Sequence, residues 1–148
     1  MSVRIEILDY KYGSGNNLVD VNEASSGLSS GWTANSTTSA SWDGSGSGIT
    51  YLNNISSQSL VIGVTYNLSF KITAYTGTGS IGFSVSSGVS SAASSNSPGN
   101  FSLTFVATST SFPDLFGRST NTGTISNIEI TDANVIDWDA SVVGELEI

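Results

Sequence analysis

Twelve carboxylates and not one histidine or cysteine stand in this chain of 148 residues, so thiolate and imidazole chemistry is closed to it. Gly27-Leu-Ser-Ser-Gly31 has the spacing of a nucleophile elbow. That motif needs a strand-to-helix turn and an imidazole base, and without histidine it reads as a Ser/Gly-rich loop. Gly77-Thr-Gly-Ser-Ile-Gly82 matches the dinucleotide fingerprint. The phosphate site of that motif depends on a helix N-terminus directly after the glycines. Here Ile81-Gly-Phe-Ser-Val85 alternates as a strand would, so a hairpin turn is expected. Two carboxylates suffice for a glycosidase, but Asp20, Glu23, Asp43, Asp114, Glu129 and Asp132 are scattered over loops. A non-enzymatic protein is expected. Metal binding without His or Cys would fall to a hard cation such as calcium. Asp137-x-Asp139 offers two carboxylates for it, without the spacing of a calcium loop. The sequons at Asn35, Asn54, Asn67 and Asn100 arise by chance in a chain where roughly three residues in ten are Ser or Thr.

Charge excludes further classes. Four basic residues, Arg4, Lys11, Lys71 and Arg118, are dispersed against the twelve acids, for a net charge of −8. Such a chain has no electrostatic footprint for nucleic acid or an anionic membrane. No apolar run approaches the ~20 residues that span a bilayer, and Met1 to Asp9 carries charges where a secretory leader would be apolar. The Ser/Thr/Gly-rich composition alone would suit disorder. The 38% of hydrophobic residues arrive in regular alternation, however, and predict a folded domain.

The elements that must position these side chains are strands. Tyr66, Leu68, Phe70, Ile72 and Ala74 fall on one face of Tyr66–Tyr75, with Asn67, Ser69, Lys71 and Thr73 on the other. Tyr75 breaks the inward parity. Ile81–Val85 is expected to complete a hairpin with this strand. Residues 86–100 read as a long surface loop, and Phe101, Leu103, Phe105 and Ala107 as another inward row. Shorter strands are expected at Val3–Ile7, Trp32, Trp42, Ile49–Tyr51, Leu60–Ile62, Leu115–Phe116, Ile125–Ile130, Val135–Trp138 and Val142–Ile148. Many short strands with a turn every 8–12 residues mean a sandwich or barrel. The chain divides into an N-terminal strand and hinge (1–14), a sandwich (15–132) and a C-terminal strand that could make an assembly contact (133–148).

The order of features over residues 16–131 carries a resemblance. Asn16-Asn-Leu-Val19 is followed by Gly31-Trp32 and a Ser/Gly-rich hairpin. Then come Gly63-Val-Thr-Tyr-Asn-Leu-Ser-Phe70, Gly99-Asn-Phe-Ser-Leu-Thr-Phe105 and Gly123-Thr-Ile-Ser-Asn-Ile-Glu-Ile130. This resembles the carbohydrate-binding-module-like (galactose-binding-like) jelly roll of bacteriophage tail and other virion proteins. The same fold is found in modules appended to secreted glycoside hydrolases. The implied architecture is an all-β, antiparallel jelly-roll β-sandwich with extra terminal strands.

The implied function is structural, in the tail, baseplate or capsid-decorating layer of a virion assembled in the host cytoplasm. Other virion proteins and further copies of the chain would be the partners. The alternative is an extracellular module that binds a host or polysaccharide glycan. Such modules stack a pyranose on Trp or Tyr, beside hydrogen-bonding side chains. Trp42, Asp43, Tyr51 and Tyr75 are the candidates, while Trp32 reads as core. Trp42 and Tyr75 could equally be core or contacts to a neighbouring subunit. The resemblance also places Asp20, Glu23 and Asp132 near a structural calcium site, although Ser126 stands where the family's closing strand carries Asp.

Overall fold

The computed structural model describes residues 16–24, 31–84 and 93–133, and in them the chain is all-β. The strands are β1 (Trp32–Ser36), β2 (Ser39–Trp42), β3 (Ile49–Leu52), β4 (Thr65–Gly77), β5 (Ile81–Phe83), β6 (Ala93–Ser95), β7 (Gly99–Val106), β8 (Leu115–Arg118) and β9 (Asn121–Asp132). A single 3-10 turn, Val21–Glu23, precedes them. The expected strands at Val3–Ile7, Val135–Trp138 and Val142–Ile148 lie outside the described residues, as do Gly27–Ser30, Asp137 and Asp139.

Two antiparallel sheets form, one of five strands in the order β1-β2-β9-β4-β7 and one of four in the order β3-β8-β5-β6. Their inner faces meet over one apolar core. Trp32, Trp42, Leu68, Phe70, Ile72, Phe105, Ile125, Ile128 and Ile130 enter it from the larger sheet, and Leu52, Ile81, Phe83 and Leu115 from the smaller. The Phe70 and Phe83 rings meet across the gap at 5.1 Å between centroids. Each such side chain contributes about 1.5–3 kcal/mol by leaving water. On the solvent side of the larger sheet, hydroxyls and amides bond across strands. Asn35 Nδ2 donates to Ser41 Oγ at 2.8 Å, and Ser41 Oγ lies 2.9 Å from Thr124 Oγ1. The Ser/Thr richness of the chain clothes this face.

Three expectations are corrected. β4 and β5 are not a hairpin: Gly77–Ser80 carries the chain from the larger sheet to the smaller, and β5 pairs β6 and β8 instead. Leu60–Ile62 is no strand. Leu60 is buried, but Val61 and Ile62 belong to a turn closed by the Val64 N–H on the Val61 carbonyl. The stretch 86–100 is not all loop, since it contains β6 and the start of β7.

Two irregularities set which residues face the core. β9 carries an extra residue around Asn127 (φ 51°), where the pairing steps from Ser69↔Glu129 to Lys71↔Ser126. Ile125 and Ile128 therefore both point inward although three positions separate them. β4 carries its own extra residue between Ile72 and Ala74, which turns Ala74 outward and Tyr75 inward, the reverse of the simple alternation.

Candidate functional site

Strand pairing explains the fate of the aromatic candidates. Trp32 and Trp42 are directly opposed across β1 and β2, so both rings enter the core, 5.5 Å apart between centroids. Trp42 is 2% exposed, and its Nε1 donates to the Arg118 carbonyl at 2.8 Å. A Cβ on Gly117 would lie 2.5 Å from the indole, and one on Gly46 2.7 Å from it. No ring face remains for a sugar, which corrects the reading of Trp42 as a stacking residue. Trp32 is core as expected, its Nε1 reaching the Thr50 carbonyl of the facing sheet.

Tyr75 is half-buried against the core, and its hydroxyl donates to the Gly79 carbonyl. Its ring braces the turn into β5. Asp43 is exposed and accepts the Ser45 N–H at 2.8 Å in a side-chain-closed turn. The Ser45 hydroxyl and then the Ser45 N–H hold its carboxyl below the usual aspartate range.

Tyr51 remains, 40% exposed on the outer face of β3. Its opposite number on β8 is Phe116, and that of Ile49 is Arg118. Along β8, Leu115 joins the core and Gly117 backs onto Trp42, so Phe116 and Arg118 project to the other face. The Arg118 guanidinium lies over the Phe116 ring, 5.7 Å from its centroid, and its Nε is buried with no hydrogen-bond partner among the described residues. Gly82 stands next to Phe116 on β5. Tyr51 and Ile49 are exposed on this face, Arg118 is half-buried, and Phe116 beside them is buried. Sequence reasoning found only Tyr51 of these four. The period-two spacing of Phe116 and Arg118 was a usable signal, but it says nothing of which strand lies beside them.

The carboxylates form a separate place. Asn17 ties the entering segment to β9: its Nδ2 donates to the Ile128 carbonyl, and its Oδ1 accepts the Ile130 and Val19 N–H groups. Asp20 Oδ1 then caps the 3-10 turn by accepting the Asn22 N–H at 3.0 Å. Glu23 Oε2 accepts the Ser57 N–H at 2.6 Å, and Ser57, hydroxyl first and N–H second, holds the Glu23 carboxyl below the usual glutamate range. Asp20 and Glu23 line one open groove of about 410 Å³ with Asn17, Thr37, Thr38 and Gln58. Asp132 does not line it; it sits opposite Tyr66 at the end of β9. The expected trio is therefore not brought together, and no three acidic side chains gather among the described residues. Calcium takes six to eight oxygens, more than the carboxylates of Asp20 and Glu23 supply by themselves.

A last exposed feature is apolar. Val61 and Ile62, 60% and 63% exposed, cap a turn held to β7's exit by Gly63 N–H on the Ala107 carbonyl and Ala107 N–H on the Val64 carbonyl. Val106, 45% exposed, ends β7 beside them. Among the described residues no helix is long and apolar enough to cross a membrane. Comparisons with protein-family models, with curated proteins and with solved structures find no match to this chain.

Proposed function

We propose that this chain is a non-enzymatic structural component of a bacteriophage virion, in the tail, baseplate or capsid-decorating layer. It acts through protein–protein contacts made by a rigid jelly roll. The virion assignment rests on the resemblance of residues 16–131. Support for the jelly roll is the strand order. With β1 set aside, β2-β9-β4-β7 facing β3-β8-β5-β6 is the order of two interlocked Greek keys. The observation that carries an assembly role is the exposed apolar group Val61, Ile62 and Val106 at one end of a marginal strand. Large apolar side chains left together on a surface mark contact sites. The test is purification of the particles from an infected culture, followed by mass spectrometry and immunogold labelling. Stoichiometric copies on tail or capsid are expected. Absence of the chain from purified particles would overturn the proposal.

One observation favours a second reading, a glycan-binding module: the exposed Tyr51 ring stands on β3 opposite Phe116, over which the Arg118 cation lies. Tyr51→Ala would then weaken retention on a polysaccharide column at unchanged melting temperature. Equal retention of the variant would sink this reading.

A further inference from the structure

Four strands stand at the margins of the two sheets: β1 and β7 in the larger, β3 and β6 in the smaller. Three are blunted by length or irregularity. β3 has four residues, β6 three, and β1 five with a register shift between Ala34 and Ser36. β7 is different. All eight of its residues pair with β4 in unbroken register, and its other side pairs with nothing among the described residues. Gly99–Val106 contains no charge, no proline and no bulge. These are the devices that ordinarily protect a free edge. Val106 at its end is exposed, as are Val61 and Ile62 of the turn bonded to Ala107.

We infer that β7 is a self-association edge, pairing antiparallel with β7 of a second copy across a two-fold axis. The inference rests on the reading that the chain works by assembly contacts, and it names the partner. Charge selects another copy. At −8 overall the chain repels itself, yet the acids of this sheet, Glu129 and Asp132, lie on β9, with β4 between them and β7. The charged side chain nearest the edge on β4 is Lys71, opposite Asn100. Among the described residues, two copies meeting here oppose no carboxylates.

The side-chain pattern is also self-complementary. With Leu103 on the axis, Phe101 stands opposite Phe105 of the second copy, extending the inner row. Ser102 stands opposite Thr104 of the second copy on the outer face. A continuous ten-stranded sheet results, five strands from each copy.

Light scattering on the full chain over a concentration series tests this, together with hydrogen exchange of the β7 amides. A dimer is expected, with β7 amides gaining protection as concentration rises. Ser102→Lys places like charges across the axis, and Val106→Lys places a charge opposite Asn100 of the second copy, on the face that carries its Lys71. Each should raise the dissociation constant by about tenfold or more at unchanged melting temperature. Should Ser102→Lys disturb folding, Val106→Lys, at a half-exposed position, keeps the test decisive. A monomer at every concentration, or a dimer indifferent to both substitutions, would overturn the inference. A monomer still present in purified particles would refute self-pairing and leave the virion reading intact. A β7 dimer absent from particles would do the opposite. A monomer whose incorporation is lost in Val106→Lys would assign the edge to another protein's strand, and self-pairing would fall.

Discussion

Single residues in this chain are settled by their partners across the sandwich. Trp42 is held between glycines and bonded to the Arg118 carbonyl, so it is a spacer between sheets. Trp42→Ala should lower stability by about 3–5 kcal/mol in urea titrations. Gly117→Ala, which drives a methyl into the same indole, should cost about 1–3 kcal/mol. If both stay within ~0.5 kcal/mol of wild type, the ring is not core. Asn121 is a polar side chain buried in the core region. Its Oδ1 accepts the Arg118 N–H, and its Nδ2 donates to the Thr78 and Ser80 carbonyls. Asn121→Ala leaves those groups unpaired and should cost about 1–3 kcal/mol by the same titration. Glu23 sets a pH signature. Its carboxyl is lowered by Ser57, so its contribution is present above the unfolded-state pKa and lost as the pH falls through the lower folded one. Glu23→Gln should therefore flatten the acid limb of the stability curve and leave neutral stability little changed. An unchanged acid limb would remove Glu23 from this role.

At the scale of elements, alternation is legible only between irregularities. Tyr66 to Ile72 follow the period of two that their sequence shows, because nothing interrupts the inner side of that run. Beyond Ile72 the extra residue reverses the phase, and Tyr75, which looked outward, packs inward. β9 does the same at Asn127. An L-residue with positive φ is strained unless it is Asn, Asp or Gly. Asn127→Gly should be within ~0.5 kcal/mol of wild type, whereas Asn127→Val should cost about 1–2 kcal/mol. Equal stability of the two variants would mean the bulge does not need this conformation. Bulges are hard to see in a sequence because both extra residues have ordinary neighbours. Their positions are fixed by register against another strand.

For the molecule as a whole, the two sheets share one core, and side chains from both interlock in it. Calorimetry should show a single endotherm whose calorimetric and van't Hoff enthalpies agree. Two separable transitions would mean that the sheets unfold independently. Solvent-facing hydroxyls bond one another across β1, β2 and β9, so a surface poor in ions still satisfies its polar groups.

Sequence by itself determined the class: an all-β chain, without histidine or cysteine chemistry, with its strong strands at β4, β7 and β9. Alternation and composition are local quantities, and the chain displays them directly. Tertiary structure decided the rest. Which face Trp42 and Tyr75 occupy depends on partner strands tens of positions away and, for Tyr75, on an inserted residue whose place is fixed by register against β9. That β4 and β5 part company depends on which sheet each joins. The grouping of Tyr51 with Phe116 and Arg118 exists only because β3 and β8, separated by more than sixty residues, lie side by side. Pairing between distant strands is governed by burial over the entire core, and no short stretch of sequence contains that information.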